Sequence, residues 1–191
     1  MKLIKDFPFV RQNTDWTCGP VAVKAVLRYF GINKSEIRLV DELGCTTEHG
    51  TDFDKVVTYF KGKGFKVTAR KTTLPKMKDF VRRNIPCLVC IQAWNENPDI
   101  DYTNAWEDGH FIVVIGYDND NVVYEDPSIH KSGERGLLSN REFLKRWHDI
   151  DSKRKPYVHY MIAVEETTKK VKPRAKLQRN RPRRALKNKT A

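Results

Sequence analysis

The stretch from Cys18 to Phe30 constrains this chain more than any other. Val21, Ala22, Val23, Ala25, Val26, Leu27, Tyr29 and Phe30 cover nearly the whole circumference of the helix they would form, and only Lys24 and Arg28 leave a polar stripe. A helix apolar almost all round is stable only when other elements wrap it, so this one is predicted to be the buried centre of the fold. Pro20 falls in the first turn, where its missing N–H forfeits no intrahelical bond, and Gly31 marks the end. With 191 residues the chain is long enough to build a core around such a helix.

The rest of the pattern supplies the wrapping. A second helix is predicted from Ser35 to Leu43, closed by Gly44. A third takes Thr51 as its N-cap and carries Phe53, Val56, Val57 and Phe60 before Gly62 and Gly64 end it. The period then changes, with Phe65, Val67 and Ala69 alternating as a strand. Leu74-Pro75 opens a short helix bearing Met77, Phe80 and Val81. Strands are predicted at 86–93, 110–117, 122–126 and 157–165. Between the last two, a capping box at Ser139 and Glu142 starts a helix with Phe143, Leu144 and Trp147 on one face. Helices first and mostly antiparallel strands second is the segregated α+β arrangement, here with a buried central helix packed on the sheet.

Charge divides the chain in two. The formal net charge is +12, but residues 167–191 hold 11 of the 36 Lys and Arg residues and no acid, leaving 25 basic and 24 acidic side chains in 1–166. The expected organisation is one folded domain over 1–166 and a disordered basic tail over 167–191, which has too few large apolar residues to offset the entropy of ordering. Such a tail reads either as a solubilising or localising appendage or as the contact for an anionic partner, nucleic acid or a membrane surface. It has no aromatic residue to stack on a single strand. No signal peptide or membrane-spanning run is legible, so a cytoplasmic protein with free thiols is expected. Cys87 and Cys90 sit on a predicted buried strand, where side chains three apart point to opposite faces at roughly 10 Å. That is too far for a disulfide, and no second ligand pair completes a zinc site, so neither metal nor cofactor is expected.

Three separated segments carry the chemistry. Cys18 opens the apolar helix six residues after Gln12, His110 heads an apolar strand after Gly109, and Asp126 ends the next strand before Pro127. A thiol at a helix N-terminus beside a protonated imidazole is a good nucleophile. The first-turn N–H of Cys18 and the amide of Gln12 could receive an oxyanion, while a carboxylate orients the histidine. His110 and Asp126 share a face only if the turn after Tyr117 is odd, or the hairpin bulged, so that Ile112 pairs with Asp126. An odd loop or bulge is predicted, with Asn119 or Asp120 near the left-handed region. His49 reads as a surface loop residue that could also line the cleft, and His130, His148 and His159 lack such company. The connection 94–108, with Trp94, Tyr102, Trp106, Glu96, Asp99, Asp101, Glu107 and Asp108 and no Lys or Arg, is expected either to border the cleft and favour cationic or extended peptides or to be a solvated excursion.

Gln12, Cys18-Gly19-Pro20, Gly50-Thr51, Gly64-Phe65, Pro86, Gly109-His110-Phe111, Gly116-Tyr117 and Asp126-Pro127 together resemble the papain-like double-glycine leader peptidases, cysteine peptidase family thirty-nine, in its stand-alone branch. The resemblance spans about 8–165. It implies a cysteine nucleophile, histidine base, aspartate orienter and glutamine oxyanion donor, carried over to Cys18, His110, Asp126 and Gln12, with a peptide or protein as substrate. Two departures accompany it. Thr17 rather than aspartate precedes Cys18, and no transporter segment is present, so cleavage after a double glycine is not part of the expectation. The same residues would also serve an acyltransferase or transglutaminase-like enzyme, and the fold could act as a peptide- or nucleic-acid-binding module.

Overall fold

In the computed structural model, which describes residues 1–97, 99–128 and 134–167, the apolar stretch forms α1, Cys18–Tyr29. Every residue from Cys18 to Leu27 except Lys24 is buried, as its all-round apolar surface requires. Gly31, at φ +79°, turns the chain out of the helix and donates its N–H to the Arg28 carbonyl at 2.9 Å. Helix α2 (Glu36–Leu43), closed by a left-handed Gly44, packs beside it, and α3 (Phe53–Gly62) packs against α2 and the strand that follows. The expected N-cap of α3 is corrected: Asp52, not Thr51, stands at the cap in extended conformation. Thr51 is buried under the first turn of α1, so close that a Cβ on Gly19 would lie 2.7 Å from its own. The Asp52 carboxylate instead accepts from the N–H and hydroxyl of Ser152, at 2.9 and 2.8 Å.

The chain then builds β2 (Lys66–Lys71), α4 (Leu74–Arg82), β3 (Cys87–Gln92), β4 (Gly109–Tyr117) and β5 (Asn121–Glu125). After these come β6 (Gly136–Ser139), α5 (Asn140–Arg146), β7 (His148–Ile150), β8 (Pro156–Val158) and β9 (Tyr160–Glu165). The main sheet runs β2-β9-β3-β4-β5-β6, with all its pairings antiparallel. The short β1 (Lys2–Leu3) takes over the edge of β4 where β3 ends, and β7 pairs with β8 in a separate ribbon. Helix α1 lies across β4, so the core fills the space between the helical half and the sheet. This is the expected α+β arrangement.

Four details differ from the sequence reading. The strand expected at 157–165 breaks at His159, whose φ of +52° turns the chain between β8 and β9. Strands β1, β6 and β7 were not anticipated; at two to four residues each they are too short for alternation to register. Leu144 does not share the buried face of α5, being 37% exposed while Phe143 and Trp147 are buried. Ser139 accepts the Glu142 N–H at 3.1 Å, but the Glu142 carboxylate turns forward to Arg146 at 2.8 Å.

The β4–β5 hairpin contains the expected bulge. Val113 pairs with Glu125 and Val114 with Tyr124, but Gly116 pairs with Val123, leaving Ile115 as the extra residue. Continued one step, the register sets Asp126 opposite Ile112, which makes His110 its diagonal neighbour on one face. The turn itself is tied by the Asp118 carboxylate, which accepts from Asp120 and Asn121 N–H at 3.0 and 2.7 Å. Neither Asn119 nor Asp120 adopts positive φ, contrary to expectation; the bulge supplies the parity change and the turn needs no left-handed residue. Cys87 and Cys90 are buried, free and on opposite faces of β3, and burial pushes both thiols upward. All of the basic tail beyond Thr167 lies outside the described residues, as does His130. Among the described residues no helix is long and apolar enough to cross a membrane.

Candidate active site

The first turn of α1 meets the start of β4, and this junction brings the expected residues together. Cys18 begins α1 at the floor of a groove, with the N–H groups of Gly19 and Phe111 directed at its sulfur. His110, 8% exposed, stands beside it on β4. Its Nε2 is 2.7 Å from Oδ1 of Asp126, which leaves Nδ1 for the cysteine. Asp126 is fully buried, and the same Oδ1 accepts from the N–H and hydroxyl of Ser128, each at 2.8 Å. The Asp-Pro-Ser turn therefore fixes the carboxylate, the carboxylate fixes the imidazole, and the imidazole faces the sulfur.

The electrostatics follow from this chain of contacts. Burial pushes the Cys18 thiol up, but the hydrogen bond and charge of His110, with the two N–H groups, outweigh it and hold the thiol below its ordinary value. Burial disfavours the imidazolium, yet Asp126 on one side and Cys18 on the other raise His110 to about 10. For Asp126, burial is outweighed by His110 and the Ser128 donors, and the carboxyl stays below its ordinary range. An ionised sulfur beside an imidazolium is the state this geometry favours.

The Gln12–Cys18 loop is clamped by a residue the sequence reading did not single out. Glu36, at the start of α2 and 8% exposed, accepts from Thr17 Oγ1 at 2.7 Å, from Asn13 Nδ2 at 2.7 Å and from Asn13 N at 3.1 Å. Thr17, the residue that departs from the family pattern, spends its hydroxyl on this clamp. Gln12 donates its backbone N–H to the Pro127 carbonyl at 3.0 Å, which ties it to the Asp126 turn. Its side-chain nitrogen donates to Thr14 O at 2.8 Å, while Oε1 is buried without a partner. The amide nitrogen carries a second proton that remains for a ligand.

The groove has two adjoining lobes that share Asp15 and Gly109. One, of about 450 Å³, is lined by Cys18 together with Trp16, His49, Trp106 and Asp149. The other, of about 490 Å³, is lined by Gln12, His110, Trp94 and Ser128. His49 thus lines the cleft. Among its described residues, the 94–108 connection reaches it only through its ends, Trp94 on one side and Trp106, Glu107 and Asp108 on the other. Its middle is tied down elsewhere, with Arg146 stacked 3.6 Å over Tyr102. His148 is buried and bonds the Ala105 carbonyl at 2.7 Å, anchoring the connection from below.

Besides Glu36, the sequence reading missed Ser128 and Asp149. Ser128 had a signal, since Asp-Pro-Ser is a turn in which the aspartate caps the N–H two residues on. Glu36 and Asp149 had none, because their partners lie in distant segments. Among the described residues, no group of three His, Cys, Asp or Glu side chains could hold a metal ion.

Known proteins match this chain at both levels. Residues 4–154 match the model of the peptidase C39 like family. An uncharacterised protein of Methanothermobacter marburgensis is 31% identical over 124 residues, which is 65% of this chain and 74% of the relative. The peptidase domain of Streptococcus ComA, a bi-functional ABC transporter involved in a quorum-sensing pathway, superposes with a TM-score of 0.62 at 20% identity, covering 84% of this chain and 99% of that one. A double glycine motif protease from an AMS/PCAT transporter, solved with its leader peptide, superposes with a TM-score of 0.57 at 16% identity, over 87% and 99%.

Proposed function

The chain belongs to the peptidase C39 like family, and from that premise we propose that it is a cysteine peptidase working through Cys18, His110, Asp126 and Gln12. One observation carries the reading: His110, locked by Asp126 at 2.7 Å, holds the Cys18 sulfur below its ordinary thiol pKa inside an open groove. The solved relative with a bound leader peptide supports a peptide as the ligand.

The proposed reaction runs in two steps. The Cys18 thiolate attacks a peptide carbonyl, and the developing oxyanion takes the Cys18 N–H and the free proton of the Gln12 amide. As the tetrahedral species collapses, the C–N bond breaks and His110 Nδ1 gives its proton to the leaving amine, leaving a thioester on Cys18. Water then attacks the thioester with His110 as base, releasing the acid and restoring the thiolate. Asp126 holds the ring in one tautomer and stabilises its charge throughout.

Treatment with a thiol-directed acyl electrophile, followed by intact-mass analysis, tests this. Wild type is expected to gain one adduct, at Cys18, and Cys18→Ala none. His110→Ala is expected to react at the rate of an ordinary thiol. Adducts spread over all four cysteines at equal rates would remove the activated nucleophile, and with it the peptidase.

A further inference from the structure

Proton transfer assigns the two lobes of the groove. The leaving amine must receive its proton from His110, so the leaving-group side of a substrate lies in the lobe lined by His110 and Gln12. The acyl side then lies over Cys18 in the other lobe. Resting on the peptidase reading, we propose that this acyl-side lobe receives a cationic side chain of the substrate, lysine or arginine, with Asp149 as the carboxylate that pairs with it.

Three observations carry the inference. The first is the wall chemistry. Five carboxylates, from Asp15, Glu48, Glu107, Asp149 and Asp151, line this lobe against one guanidinium, Arg154. Asp151 already accepts from the Lys153 and Lys155 N–H groups and Glu48 lies 3.6 Å from His49, so Asp15, Glu107 and Asp149 carry most of the excess. The folded part is almost neutral, with 25 basic and 24 acidic side chains over 1–166, so this excess is a local concentration of acid where substrate must lie. The leaving-group lobe has only the shared Asp15 and Asp108, and Asp108 is already engaged by Asn95 at 2.7 Å.

The second observation is the state of Asp149. It projects from β7 against Gly109, the residue before His110, and a Cβ on Gly109 would overlap its carboxylate. The glycine thus makes room for an acid one residue from the base. Its partners are neutral: the Gln92 amide at 3.4 Å, the Ile150 N–H and the Cys90 thiol. Among the described residues no Lys or Arg forms an ion pair with it. Burial pushes its pKa up to about 6, so at neutral pH it is an ionised, poorly hydrated carboxylate without a counter-ion. A substrate cation supplies the missing charge.

The third is the aromatic wall. Trp16 and Trp106 line the same lobe, and indole faces attract ammonium and guanidinium groups more strongly than they attract neutral chains.

The test uses the full chain and short peptides in which a single Lys, Arg, norleucine or Gln is walked along an otherwise uncharged sequence. Binding is read by fluorescence anisotropy on Cys18→Ala, which cannot turn the peptides over. Lys and Arg peptides are expected to bind at least about tenfold tighter than the norleucine and Gln peptides, with the gap shrinking as salt is raised. Adding Asp149→Asn to Cys18→Ala should cut that gap to about threefold or less, in a protein whose circular dichroism is unchanged. Should Asp149→Asn fail to fold, Glu107→Gln on the exposed rim should narrow the gap in the same direction. Fragment masses from wild type should place the basic residue on the acyl side of the broken bond. Equal affinities for Lys and Gln peptides, no measurable binding of either, or a basic residue found only on the leaving side would each overturn the proposal. The peptidase reading fails separately: a cation preference in Cys18→Ala with no cleavage by wild type would leave the pocket and remove the reaction.

Discussion

At the scale of single residues, the site is a set of opposed pKa shifts with observable consequences. Cys18 lies below its ordinary 9.0 and His110 above its ordinary 6.5, at about 10. The thiolate–imidazolium pair therefore exists between the lowered thiol value and about pH 10. The rate of alkylation at Cys18 is expected to reach its plateau at a lower pH than that of an ordinary thiol, and to fall below that pH as the thiolate takes up a proton. Peptide turnover should fall again near pH 10, when His110 can no longer protonate the leaving amine. In His110→Ala the Gly19 and Phe111 N–H groups are left to oppose burial, the largest influence on the sulfur, so the alkylation midpoint should move up towards the ordinary thiol value or above it. Asp126→Asn removes the charge that holds the ring. It is expected to lower turnover by about 10²–10⁴-fold, with smaller effects on substrate affinity, measured as kcat against KM. Stability follows the same signs. The contribution of Asp126, whose pKa is lowered, is present above the ordinary carboxylate range and lost as pH falls through its folded value. The contribution of His110, whose pKa is raised, is complete below 6.5 and lost as pH rises through about 10. The residues that meet at the candidate site were legible in the sequence because each announces itself locally: a cysteine at the head of an apolar helix, a histidine heading an apolar strand, an aspartate before a proline. Glu36 and Asp149 were not, because a carboxylate that works on a segment 19 or more residues away leaves no local trace.

Between elements, the sheet does more than carry His110 and Asp126. The end of β5 also holds the segment that leads into Gln12. Glu125, 1% exposed, accepts from Val10 N at 2.8 Å and Arg11 Nη1 at 2.6 Å and pairs with Arg135, which in turn bonds the Phe7 and Pro8 carbonyls. Two residues on, the Pro127 carbonyl takes the Gln12 N–H. One strand end thus positions both the Asp126 carboxylate and the Gln12 amide. Glu125→Gln keeps the shape but removes the buried carboxylate that Arg11 and Arg135 share, and it is expected to destabilise the fold by about 2–4 kcal/mol in denaturant titration. At temperatures where the variant is still folded, it should lower kcat more than it raises KM if Gln12 serves the oxyanion as proposed. Helices and long strands were legible because their periods run over several repeats. The parity argument anticipated the hairpin bulge, since two polar residues had to meet on one face. Strands β1 and β6 exist through their partners in the main sheet and β7 through β8 in the separate ribbon, and none carries a period of its own. The Thr51 cap failed for a related reason. A threonine before a helix suits a cap locally, but the close approach of Gly19 draws its side chain under α1.

Across the whole molecule, the candidate site joins two halves of the chain that are far apart in sequence. Cys18 and Gln12 come with the helical half, and His110 and Asp126 with the sheet, 92 residues beyond Cys18 in the case of the imidazole. Of the groups that lower the thiol, His110 and the Phe111 N–H belong to β4 and the Gly19 N–H to the helical half, so strong activation of the sulfur requires α1 to be docked on β4. The other three cysteines behave oppositely. Cys45, Cys87 and Cys90 are buried with thiols pushed upward, so the native fold protects them. Unfolding should therefore reverse the order of reactivity. At neutral pH the native protein is expected to take one alkyl group, rapidly, at Cys18. Above the unfolding midpoint it should take four, all at the slower rate of an ordinary thiol. Because the core is continuous from α1 across the sheet, the loss of rapid labelling should coincide with the change in fluorescence of the four tryptophans along a denaturant series. Rapid labelling of Cys18 that persists beyond the fluorescence transition would show that the sulfur owes its reactivity to its own helix. The convergence of the two halves would then play no part in the chemistry.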